Sequence, residues 1–203
     1  MPGQGPTPIA TDSLDSFRRS FPGGFALVMA TGIVSVALYA QRVTLVAHAL
    51  FAVNVAAYAL FWLAGAARIA HSPRAVGDAL GDHARGPSFL TIVAGSCVLG
   101  VQCVELAGWR AAGDALWIVS LLAWLLLIYG FFAAVTIVEP KPRLEHGLDG
   151  SWLLATVSTE AIAVLGTIVA PDFPRPDIVI FTCLVFFLAG AMLRTLARTV
   201  RKF

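Results

Sequence analysis

One carboxylate stands deep inside an apolar run. Glu160 is flanked by Thr156, Thr159, Ala163 and Thr167 at spacings of three and four. An ionised side chain at that depth costs roughly 2.5–3.5 kcal/mol on insertion scales, as much as several leucines contribute. Its presence there implies a partner or a use. Three uses are open: a protonated carboxyl bonded to a neighbour, a hydrated path, or a site that couples to a proton or cation. Replacing Glu160 with Gln is expected to leave folding nearly intact and to abolish any pH dependence of uptake. Two other runs carry stripes of the same kind. Ser88, Thr91, Gly95, Val98, Gln102 and Glu105 share one helix face, and Gly24, Val28, Thr31 and Ser35 share another. Small hydroxyl residues also let membrane helices pack closely, which explains any one Ser or Thr. Three stripes, two of them extended by Gln102 or Glu160, are better explained by a shared polar interior.

Other chemistry finds little support. His48, His71, His83 and His146 are scattered, and Cys97, Cys103 and Cys183 lie inside apolar runs, so neither a metal site nor a cofactor is expected. No paired acids, His with Asp, or Ser-Lys dyad accompanies Glu160 at depth, so the chain does not read as an enzyme. The basic residues lie between apolar runs and form no nucleic-acid patch. Glu105, beside Trp109 and Arg110, reads as interfacial. Asn54 and Tyr58 stand one turn apart and are expected to hydrogen-bond to an inner helix. Gly86-Pro87-Ser88 and Gly147 to Ser151 read as helix starts, where backbone N–H groups favour anions.

These residues need membrane helices to position them. The 203-residue chain is 58% hydrophobic and 13% charged, against about 25% charged in soluble domains. About 20 apolar residues cross the hydrocarbon, and six segments qualify: Gly24 to Ala40, Leu45 to Ala67, Ser88 to Leu106, Ala115 to Val138, Trp152 to Ala170, and Ile178 to Ala197. Polar residues concentrate in the first, third and fifth, while the fourth, around Leu121 to Ile128, has no polar face. The odd helices therefore form an inner ring and the even ones a lipid-facing ring. Basic residues on one side include Arg18, Arg19, Arg68, Arg74, Arg85, Lys141, Arg143, Arg194 and Arg198; the other side holds Arg42, Arg110 and Arg175. That asymmetry places both termini in the cytoplasm. The expected fold is all-α and polytopic, with six transmembrane helices in three hairpins. A disordered tail spans 1–20, the transmembrane domain 21–197, and a basic cytoplasmic tail 198–203. Leu38 occupies the position before Ala40 that a signal-peptide cleavage site keeps small, so the first helix is expected to remain.

Three stretches carry a family resemblance. FALVMATGIVS (Phe25 to Ser35), GPSFLTIVAGSCVLGVQ (Gly86 to Gln102) and GLDGSWLLATVSTEAIAVLG (Gly147 to Gly166) resemble the first, third and fifth helices of the tellurite-resistance/dicarboxylate transporter family. That family includes slow-type anion channels, malic acid transporters and sulfite efflux pumps. The resemblance covers Phe21 to Met192 and implies five helical hairpins whose odd helices line a pore for small anions: a dicarboxylate such as malate, or an oxyanion such as tellurite or sulfite. Met29, Thr31, Gly32, Ser35, Ser88, Thr91, Gly95, Gln102, Trp152, Thr156, Thr159 and Glu160 would then be inner-helix residues. The expected transport path is Thr31, Ser35, Thr91, Gly95, Gln102, Thr156, Thr159, Glu160 and Thr167. Fixed negative charge is unfavourable in such a lining, so the resemblance implies that Glu160 is protonated or proton-coupled. Six spans stand where the family has ten, so the transmembrane domain is expected to be incomplete or to form a homo-oligomer in the cell membrane. A truncated, non-transporting protein or an assembly subunit is the alternative.

Overall fold

The first helix, α1 (Phe25–Ala40), follows the turn Pro22-Gly23-Gly24, where the Phe25 N–H donates to Pro22 O at 3.1 Å. It ends at a tight turn in which Arg42 takes the left-handed conformation, φ 66°. These turns limit α1 to 16 residues, about 24 Å at 1.5 Å per residue. This computed structural model describes residues 22–82, 85–137 and 153–200. The expectations for the tail 1–20, for Arg18, Arg19, His83, Lys141, Arg143 and His146, for Gly147 to Ser151, and for Trp152 lie outside the described residues.

Helix α2 (Thr44–His71) follows α1, and a short helix α3 (Pro73–Gly81) follows α2 with Pro73 at its first position. There proline's missing N–H costs nothing. Sequence periodicity did not reveal α3, because nine residues carry too few turns. A 3-10 turn, Gly86–Phe89, runs directly into α4 (Leu90–Glu105). The next connection closes on Gly108, whose φ of +67° suits a residue without Cβ. Helix α5 (Arg110–Ile137), helix α6 (Leu153–Val169) with its 3-10 extension Ala170–Asp172, and helix α7 (Pro176–Val200) complete the described fold.

The described residues are helical without strands, and five helices are long and apolar enough to cross a membrane: Thr44–His71, Gly86–Glu105, Arg110–Gly130, Leu153–Asp172 and Pro176–Leu196. The first expected span is apolar but shorter, for the reason its flanking turns give. Two boundaries also move. Helix α5 begins at Arg110 rather than Ala115, and α7 continues to Val200 rather than ending at Ala197.

Helix α4 packs against α1 and against α6, so the three lie side by side with α4 in the middle. Helix α2 packs on α1, α5 on α4 and α6, and α7 on α6. Burial follows the same alternation: 13 of the 16 residues of α4 are buried, against five of the 28 in α2. The outer helices show apolar side chains outward, with Leu126, Tyr129, Phe181 and Leu188 among the exposed ones. Such a surface is at equilibrium with lipid tails and would be unfavourable in water.

The inner helices approach closely where side chains are small. A Cβ on Gly100 would meet Leu165 and one on Gly113 would meet Val104, so α4 is tightly seated against α6 and α5. Polar ties fix the rest. Trp117 Nε1 donates to Ile162 O at 3.1 Å, and Trp124 Nε1 donates to Thr159 Oγ1 at 3.0 Å, fastening α5 to α6. Arg110 pairs with Asp172 at 2.7 Å, joining the α4–α5 connection to the end of α6.

Candidate functional site

A buried polar relay crosses three helices. The Thr31 hydroxyl on α1 lies 2.7 Å from Asn54 Oδ1 on α2 and also 2.7 Å from Leu27 O, so its one proton serves one acceptor at a time. Asn54 Nδ2 then donates to Gln102 Oε1 on α4 at 2.6 Å. Asn54 and Gln102 are both fully buried, and Gln102 Nε2 has no hydrogen-bond partner among the described residues. The relay exists because Gly32 leaves room for it: a Cβ there would stand 2.9 Å from Asn54 Nδ2 and 3.2 Å from Gln102 Oε1. One turn along α2, Tyr58 makes a 2.9 Å bond with Ser96 on α4. Ser96 spends its own proton on Ile92 O at 2.7 Å, so Tyr58 is the donor. The expectation that Asn54 and Tyr58 reach an inner helix agrees with this geometry. Asn54→Ala removes both relay bonds and strands the Gln102 carbonyl, so unfolding of the purified chain is expected to become easier by about 1–3 kcal/mol.

Glu160 has a charged partner. Arg194 Nη2 on α7 donates to Glu160 Oε1, forming an ion pair between α6 and α7. Gly190, one turn before Arg194, forms the floor of this contact, since a Cβ there would lie 2.6 Å from Glu160 Cγ and 3.3 Å from its Oε1. An ion pair is not among the uses read from the sequence, because Arg194 counts there only toward the basic side of the membrane. The missed signal is the Gly190 to Arg194 spacing, which puts a notch and a guanidinium on one face of α7. With that partner in place, Glu160→Gln no longer reads as harmless to folding.

The nine expected path residues separate into two groups. Ser35 donates to Ala47 O at 2.8 Å, Thr91 has its one proton between Ser88 O at 2.6 Å and Pro22 O at 3.0 Å, and Thr159 donates to Ala155 O at 2.6 Å while accepting from Trp124. Gly95 lies against the Phe25 backbone, and Gln102 and Thr156 are buried. These six are enclosed between helices. Thr31 and Glu160 are half-buried, and Thr167 is exposed with its hydroxyl on Val164 O at 2.8 Å. On α6 the exposed Val157 and Val164 lie opposite the face that Trp117 and Trp124 hold, with Thr167 beside them. On α4 only Ser88, Val98, Val101 and Glu105 are not buried. The arc of α1, α4 and α6 is thus covered by α2 and α5 on one side. Its other side is lined largely by valines, with polar groups at its edges. Among the described residues no group of His, Cys, Asp and Glu could hold a metal ion.

Helices of this length, polarity and layering define a multi-pass membrane protein with an inner and an outer layer. The sequence matches the family described as voltage-dependent anion channel (SLAC1) over residues 21–197, and the chain belongs to that family. The match confirms the resemblance read from the three helix motifs, since the slow-type anion channels belong to the same transporter family. The family consists of channels and transporters rather than enzymes, and its activity is anion transport across a membrane. No curated protein and no solved structure matches the chain.

Proposed function

We propose that the chain carries small anions along the open side of the α1, α4 and α6 arc. The substrate is a dicarboxylate such as malate, or an oxyanion such as tellurite or sulfite. The observation that supports this most strongly is the one-sided covering of the arc: α2, α5 and α7 pack on α1, α4 and α6 and leave one face of the arc uncovered. Thr31, Glu160 and Thr167 border the path in this reading. Ser35, Thr91, Gly95, Gln102 and Thr159 hold its wall together through interhelical contacts, and Thr156 is buried within it. Helix α1 crosses the membrane as the first of six spans, which form three hairpins between a tail at 1–20 and a basic segment at 198–203. Both termini face the cytoplasm and the membrane is that of the cell, in keeping with the uneven distribution of Arg and Lys. The path can be completed by association with a second copy. Reconstituted vesicles should take up labelled malate, sulfite or tellurite faster than protein-free vesicles, and competition among the three identifies the substrate. Uptake no faster than in protein-free vesicles for all three would leave the assembly-subunit reading.

A further inference from the structure

We propose that the Glu160 and Arg194 pair is an oxyanion-binding site occupied by the protein's own carboxylate. When Glu160 swings aside, an external carboxylate or inorganic oxyanion replaces it on the guanidinium. The inference rests on the reading of α6 as a border of the anion path.

Three observations carry it. Arg194 holds Glu160 through a single nitrogen and oxygen. A guanidinium has five N–H donors in a planar fork, so most of this fork is not used by the described residues. Arg194 is 44% exposed and Glu160 29% exposed, so an incoming anion can reach the spare donors. The Gly190 notch is filled by the Glu160 side chain, so departure of Glu160 opens space beside the charge. On α6 Glu160 is the sole charged residue; on α5 the charges are Arg110 and Asp114, at the far end with Asp172; α4 carries only Glu105, at its C-terminal end; and on α7 Asp177 is paired with Arg175, while Arg198 follows Arg194 by one turn.

The chemistry selects the ligand class. Two parallel N–H donors match two oxygens of a carboxylate, sulfite or phosphate, whereas a halide cannot be held in that bidentate way. Glu160 is itself a tethered example of the ligand. Two sources could supply it: a free anion, or the phosphate of an anionic lipid. An apolar groove of about 350 Å³ between α5 and α7, lined by Trp124, Ile128, Tyr129, Met192 and Leu196, could seat an acyl chain close to Arg194.

Thermal unfolding of the purified full chain in neutral detergent tests the site without measuring flux. Sodium succinate, compared with sodium chloride of equal ionic strength, should raise the Tm of the wild type and of Glu160→Gln, with an apparent affinity about tenfold tighter in Glu160→Gln. Arg194→Gln should show no succinate effect. A rise produced by phosphatidylglycerol micelles but not by succinate assigns the site to a lipid headgroup. Absence of both effects in Glu160→Gln, or an equal effect in Arg194→Gln, overturns the proposal. If Glu160→Gln does not fold, the wild type decides: no response to succinate or to phosphatidylglycerol overturns it as well. Binding with no vesicle uptake would count against the transport path and leave the site standing.

Discussion

Glu160→Gln is expected to destabilise the folded chain by about 2–4 kcal/mol, because it leaves the Arg194 guanidinium unpaired at the edge of the apolar layer. Arg194→Gln should cost less. A carboxyl deprived of its partner can take up a proton and become neutral, whereas a guanidinium cannot lose one. The double variant Glu160→Gln, Arg194→Gln should recover most of the loss, since it removes both charges together. Denaturant titration of the four proteins in one detergent supplies the double-mutant cycle. A single-variant loss below about 0.5 kcal/mol would place the pair with exposed salt bridges, which contribute little.

Gly166→Val is expected to be the most damaging change to packing. A Cβ at Gly166 would overlap Cys183 Sγ of α7 and stand 2.6 Å from Trp117 Nε1 of α5. The side chain would wedge α6 away from both neighbours and break the Trp117 bond to Ile162 O. Overpacking of this kind costs about 1–3 kcal/mol in soluble cores, and membrane helices depend on close approach for their association. Gly130→Ala is the matched control, because its Cβ would meet only Leu80 Cδ2, at 3.8 Å. Thermal unfolding should separate the two variants clearly; similar Tm values would mean that α6 is not seated as described.

The layering was legible in the sequence for a simple reason. Lipid rewards apolar side chains on outer helices and tolerates Ser, Thr and Gln only where another helix answers them, so α1, α4 and α6 were marked by composition alone. What composition did not reveal is the direction in which those residues point. Thr91, Thr159 and Gln102 fall on faces that look alike in a helical wheel, yet each is enclosed by a neighbouring helix. Helical periodicity gives the angle between side chains, not the position of the next helix. The Glu160 partner was missed through a related limit. Arg194 follows Glu160 by 34 positions, and only the antiparallel packing of α6 and α7 brings them together. The relay from Thr31 to Gln102 was half visible, as Asn54 in an otherwise apolar helix required a partner. The bounds of α1 agree with the sequence to one residue, Gly24 to Ala40 against Phe25–Ala40, because Pro22-Gly23-Gly24 marks its start.

Thiol labelling tests the open side of the arc most directly. Single cysteines at Val98, Val164 and Thr167, and for comparison at Leu126 and Leu188, can be placed in a chain whose own Cys97, Cys103 and Cys183 are buried. All five chosen positions are open or partly open in the structure. A water-soluble anionic thiol reagent applied to vesicles should modify Val98→Cys, Val164→Cys and Thr167→Cys, and saturating malate or sulfite should slow that reaction. The cysteines at Leu126 and Leu188 should stay unmodified, because they face lipid. Equal inertness of all five, or faster modification at Leu126 and Leu188, would contradict a water-filled anion path along α1, α4 and α6.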